Sequence, residues 1–92
     1  MKAIKLVSKA NATVESFEKH GRRVDSKVIT KSNVIFIIGM GSGHNTLHTH
    51  ESNVNVPNGL KLINCGFQYT FTPDNIRFGL TDDEILSVLS IN

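Results

Sequence analysis

Five consecutive β-prone apolar residues, Val34-Ile35-Phe36-Ile37-Ile38, constrain this chain more than any other feature. The run is too short for a buried helix and far below the ~20 apolar residues of a membrane-crossing one. Lys31-Ser32-Asn33 precedes it as a turn signal, and glycines follow at positions 39, 41 and 43. It reads as a strand that is apolar on both faces, and so as the most buried strand of the fold. A sheet has to be built around it.

The neighbouring segments supply that sheet. Val24–Thr30 is β-rich, and Leu60–Ile63 is a second short apolar strand. Val54 and Val56 alternate with Asn53 and Asn55, and Ile76, Phe78 and Leu80 repeat the pattern. The cleanest period of two has Phe67, Tyr69 and Phe71 against Gln68, Thr70 and Thr72, which predicts a strand with its aromatics toward the core. Pro57-Asn58-Gly59 and Pro73-Asp74-Asn75 separate these strands as turns. Residues 52 onward therefore read as an antiparallel meander.

The ends carry the helices. Thr81-Asp82-Asp83-Glu84 is a capping box, and Ile85, Leu86, Val88 and Leu89 give the helix behind it an apolar face. Near the start, Ala3–Val7 reads as a short strand. Asn11–Gly21 reads as a short helix, with Asn11 as N-cap, Val14 and Phe17 on one face and Gly21 as C-cap. The same stretch also alternates, so a strand over 12–20 is the competing reading. The expected class is α+β, a small antiparallel sheet of about five to seven strands with a short N-terminal and a C-terminal helix, in one domain over 1–92.

Composition bounds the setting. Hydrophobic residues at 39% and charged residues at 20% are ordinary globular usage, which excludes a disordered tail or a disulfide scaffold. The single cysteine, Cys65, has no internal partner, so a reducing compartment is expected. No secretory signal is visible, and a cytoplasmic protein without a membrane segment is the expectation. Charge is uneven. Lys2, Lys5, Lys9, Lys19, Arg22, Arg23, Lys27 and Lys31 outweigh Glu15, Glu18 and Asp25, giving +5 over residues 1–31. Lys61 and Arg77 fall short of Glu51, Asp74, Asp82, Asp83 and Glu84, giving −3 over the rest. A basic half attracts anions, nucleic acid or the acidic half of another copy. A domain this small often gains stability by oligomerising, so a homo-oligomer is expected.

Three constellations bear on chemistry. Gly39-x-Gly41-x-Gly43 after a buried strand suits a loop whose amides approach an anion. It fails the dinucleotide fingerprint, because His44 stands where the third glycine belongs, and no Gly-Lys-Ser/Thr follows for a P-loop. Three of the four histidines lie in His44–Glu51. His48 and His50 share a face in a strand, whereas His44 and His48 share one in a helix. His44, His48, His50 and Glu51 are thus metal candidates, with Cys65 or His20 as a further ligand. Cys65 ends an apolar strand, and a thiolate beside an imidazole makes a nucleophile.

The favoured function is a small non-enzymatic binding protein without a cofactor. It sequesters an anionic small ligand through Gly41, Ser42, Gly43, His44, His48, His50, Arg22 and Arg23, or docks on a partner protein in an accessory or inhibitory role. No residue is assigned to catalysis. A metal-dependent or Cys–His enzyme built on His44–Glu51 and Cys65 is the alternative. Nucleic-acid binding through the basic N-terminal third is the second.

Overall fold

A computed structural model describes residues 2–40, 45–74 and 79–92, with side chains from residue 5 onward. In chain order these residues form α1 (Lys2–Lys9), β1 (Thr13–His20), β2 (Arg23–Ile29), β3 (Val34–Met40), β4 (Thr46–Thr49), β5 (Leu60–Cys65), β6 (Gln68–Pro73) and α2 (Asp82–Ile91). The strands make one antiparallel sheet in the order β1-β2-β3-β4-β6-β5. The α+β class with a helix near each end is as expected.

The N-terminal elements exchange places relative to the sequence reading. Residues 2–9 are helix, and 13–20 are strand, as the competing reading of that stretch had it. Asn11 explains the exchange. It does not open a helix; it closes α1 in the left-handed region, at φ 57. The Ala12 N–H donates to the Val7 carbonyl at 3.0 Å and the Asn11 N–H to the Ser8 carbonyl at 3.1 Å, the paired bonds of a Schellman end. Asparagine suits both helix ends, so its identity alone did not set the direction. Leu6, Val7 and Ala10 then face the core at helical spacing.

Both helices cover the same face of the sheet. Leu6 and Val7 of α1 and Ile85, Val88 and Leu89 of α2 close over Val24, Val28, Ile35, Ile37, Leu47 and Phe71. Val28, Ile35, Ile37, Leu47, Ile85 and Val88 have no exposed surface. Burial of each such side chain contributes about 1.5–3 kcal/mol, and this layer holds the fold together. The capping box forms as expected. The Thr81 N–H donates to Glu84 Oε1 at 2.8 Å, and the Glu84 N–H donates to Thr81 Oγ1 at 3.2 Å.

Other expectations change. Residues 52–57 are not a strand. Val54 packs against the core, but Asn55 bonds to the end of α2 rather than to a neighbouring strand. Phe67 leaves the aromatic alternation. It stands in the two-residue turn between Cys65 and Gln68, 82% exposed, while Phe71 alone of the set is fully buried. Gly66, at φ 74, takes the first turn position, where a side chain would strain the backbone. Leu80 precedes α2 as coil, and Ile76 and Phe78 lie outside the described residues.

Gly39 belongs to β3 rather than to a loop. Val24 pairs with Met40 and Ser26 with Ile37, so Ile38 and Gly39 together oppose Asp25. This is a β-bulge, and Gly39 adopts φ 85 within it.

Candidate functional site

The second face of the sheet carries no helix among the described residues. Register fixes what stands on it. One row crosses all six strands as Ser16, Lys27, Phe36, His48, Thr70 and Ile63. Ile29 and Val34 pair one row away, and Ile38 pairs with Thr46 on the other side. β3 is the decisive strand. Its burial alternates, with Ile35 and Ile37 enclosed under the helices and Val34, Phe36 and Ile38 half-buried on the bare face. The apolar character of both faces was correctly read, but the expectation that both are covered was not met. Ile63, at 41% exposure, and Phe67 extend the apolar surface toward β5.

An aromatic string crosses this face. His50 meets Phe36 edge-on, with ring centres 5.4 Å apart, and stacks on Phe67 at 6.1 Å. His48 is half-buried beside it. Its Nδ1 accepts from the Gln68 side-chain amide at 3.2 Å and lies 3.0 Å from Thr70 Oγ1. An amide nitrogen only donates, so the ring proton sits on Nε2, which donates to Thr46 Oγ1 at 2.8 Å. Burial holds the His48 pKa below the ordinary histidine value, which keeps this neutral form.

Charge on this face gathers on the β1–β2 side, in pairs, with Lys61 of β5 at the opposite edge. Arg23 grips Asp25 through two bonds, Nε to Oδ1 at 2.9 Å and a terminal nitrogen to Oδ2 at 2.8 Å. Asp25 Oδ1 also accepts from the Gly39 N–H at 3.0 Å, which satisfies the amide exposed by the bulge. The Arg23 hydrogen bonds are the main reason the Asp25 carboxyl is held below its usual range. Lys27 pairs with Glu15 at 2.8 Å, and His20 lies 3.4 Å from Glu18. Between these pairs runs a groove of about 270 Å³, whose lining includes Ser16, Phe17, Asp25, Lys27, Phe36 and Ile38.

The residues expected from sequence are distributed as follows. Gly41, Ser42, Gly43 and His44 lie outside the described residues. His48 and His50 share the bare face, as strand geometry requires. Arg23 is engaged with Asp25, and Arg22 is exposed in the β1–β2 turn. Among the described residues no three His, Cys, Asp or Glu side chains group to hold a metal ion. Cys65 is exposed, and its Sγ accepts from the Thr70 hydroxyl at 3.6 Å. Glu51 stands by the Asn33 carboxamide.

Sequence reasoning did not single out Ile29, Phe36, Ile38, Ile63 or Phe67 as site residues. The available signal was the run at 34–38, whose alternate residues cannot all reach one helical layer.

No protein-family model, characterised protein or solved structure matches this chain. No described helix is long and apolar enough to cross a membrane.

Proposed function

We propose that this protein is a non-enzymatic binding module that docks on another protein surface with the helix-free face of its sheet. One observation carries the reading: the central strand β3 offers Val34, Phe36 and Ile38 on the face opposite its own core. Aromatic and aliphatic residues at the centre with charge at the margin match the make-up of protein interfaces. The imidazole of His48 has a partner at each ring nitrogen, the Thr46 hydroxyl at one and the Gln68 amide at the other, so covering the ring leaves neither nitrogen unmet. A neutral His48 also removes the desolvation cost of burying a cation.

The test uses purified full-length chain as bait. A partner taken up by it is purified, and the complex is reconstituted from the two chains. Complex formation that survives Lys9→Asp on the helical side but is lost in Ile38→Asp supports the reading. A complex indifferent to Ile38→Asp, or no stoichiometric complex with any chain, its own second copy included, overturns it.

A further inference from the structure

Building on the reading of the helix-free face as a docking surface, we infer that its occupant is a second copy of this chain, with Phe67 of each copy seated in the β1–β3 groove of the other. Among the described residues Phe67 is the most exposed of the large hydrophobics, at 82%. It is held in a fixed place, at the second position of a two-residue turn that Gly66 makes tight, with its ring stacked on His50. A phenyl group presented this way is a knob without a hole in its own chain.

The groove supplies the hole. Its volume of about 270 Å³ exceeds the ~150 Å³ that suffices to enclose benzene. Phe36 and Ile38 give it an apolar wall along β3. Its charged lining residues, Glu18, Asp25 and Lys27, each meet a side chain of the same chain: His20, Arg23 and Glu15.

Symmetry makes the exchange reciprocal. The groove lies over β2, Phe67 lies in the β5–β6 turn, and β4 runs between them in the strand order. A two-fold axis in the plane of the interface, passing over β4, brings each knob to the other copy's groove in one operation. His48 and His50 then stand near the axis, and the two sheets stack face to face.

The area is adequate. Six strands spaced ~4.8 Å apart span about 24 Å, and strands of this length run roughly 13–26 Å. Such a face covers on the order of 500 Å² per copy, ~1,000 Å² in total, the low end of specific interfaces and the range of a weak, reversible dimer.

Sedimentation of the purified chain over about 1–300 µM tests the inference, micromolar association being ordinary for such an area. The wild type is expected to sediment as a dimer. Phe67→Asp and Ile38→Lys are each expected to weaken dimerisation about 30-fold or more, the effect of losing an interface anchor. Both side chains stand on the bare face, so far-UV spectra stay native; Phe67→Ala, a milder truncation, gives the same direction.

Mixing the two charged variants is expected to restore a heterodimer. The unaltered Phe67 then enters the unaltered groove, while the introduced carboxylate meets the introduced ammonium. A monomeric wild type, variants that dimerise like wild type, or a mixture that stays monomeric overturns the pairing. If the wild type is monomeric yet binds another protein in a manner lost in Ile38→Lys, self-pairing fails and the docking face stands. If it binds nothing, both fail.

Discussion

Replacing Asn92 by alanine should cost this fold far more than its place beyond the last helix suggests. The Asn92 side chain closes a junction between α2 and the segment after β4. Its nitrogen donates to the Val88 carbonyl at 2.8 Å and the Asn55 carbonyl at 3.0 Å. Its oxygen accepts from the Asn55 N–H at 2.9 Å. The residue is only 4% exposed. Asn33, between this carboxamide and Glu51, can turn its NH2 toward either. Three bonds at a net ~1 kcal/mol each, with unpaired buried groups left behind, give a loss of about 2–4 kcal/mol. Asn55 is reached by water, which favours the lower half of that range. A domain of this size has ~5–10 kcal/mol in total, so the melting temperature should fall by roughly 10–20 °C.

Urea unfolding followed by far-UV circular dichroism measures this, with an unchanged m value as the check on two-state behaviour. Asn55→Ala is the control. It keeps both backbone bonds to Asn92 and removes only the contact from its Nδ2 to the Ile91 carbonyl at 3.0 Å, so about 0.5–1 kcal/mol is expected. An Asn92→Ala variant within ~0.5 kcal/mol of wild type would refute the junction as a stabilising element. An Asn55→Ala variant that loses as much would relocate its source.

Three further outcomes follow from the same contacts. Asp25→Ala should cost about 1–2 kcal/mol near neutral pH, because the Gly39 amide loses its acceptor. The folded Asp25 pKa lies below the unfolded 3.8, so the pairing contributes fully above that value and fades as pH falls through the folded one. The gap between wild type and variant should therefore close in strong acid, and a gap constant with pH would count against it. Phe71→Ala should cost about 3–5 kcal/mol by denaturant unfolding, since its ring is 2% exposed between the sheet and the helices. His48 has a folded pKa below 6.5, so its neutral form stabilises fully above that value, and stability declines as pH falls from 6.5 toward the folded pKa. His48→Gln should flatten that part of the stability profile.

The legible parts of the fold were those whose signal is local and one-sided. The Thr81–Glu84 box names both its members within one turn and has few competing meanings. The alternation from Gln68 to Thr72 places Phe71 inward by strand geometry alone. Asn11 was ambiguous because the same carboxamide caps a helix start and tolerates the left-handed end of one. Gly39 was read as a loop residue, since a bulge depends on the pairing of two strands. The Asn33, Asn55 and Asn92 junction was invisible because its members are far apart in sequence and each reads as surface. The bare face was half legible. Apolarity on both sides of Val34–Ile38 says that both faces seek cover, but only the placement of α1 and α2 on the same face says which one these helices leave open.

The most direct test of that open face is a methyl spectrum of isoleucine-labelled protein, recorded as partner or protein concentration rises. Ile29, Ile38 and Ile63 report the helix-free face, Ile35, Ile37 and Ile85 the core, and Ile91, 44% exposed at the end of α2, the opposite surface. Docking through the sheet predicts that Ile29, Ile38 and Ile63 shift and broaden together while Ile91 stays still. Shifts at Ile91 with the three face methyls silent would contradict the account.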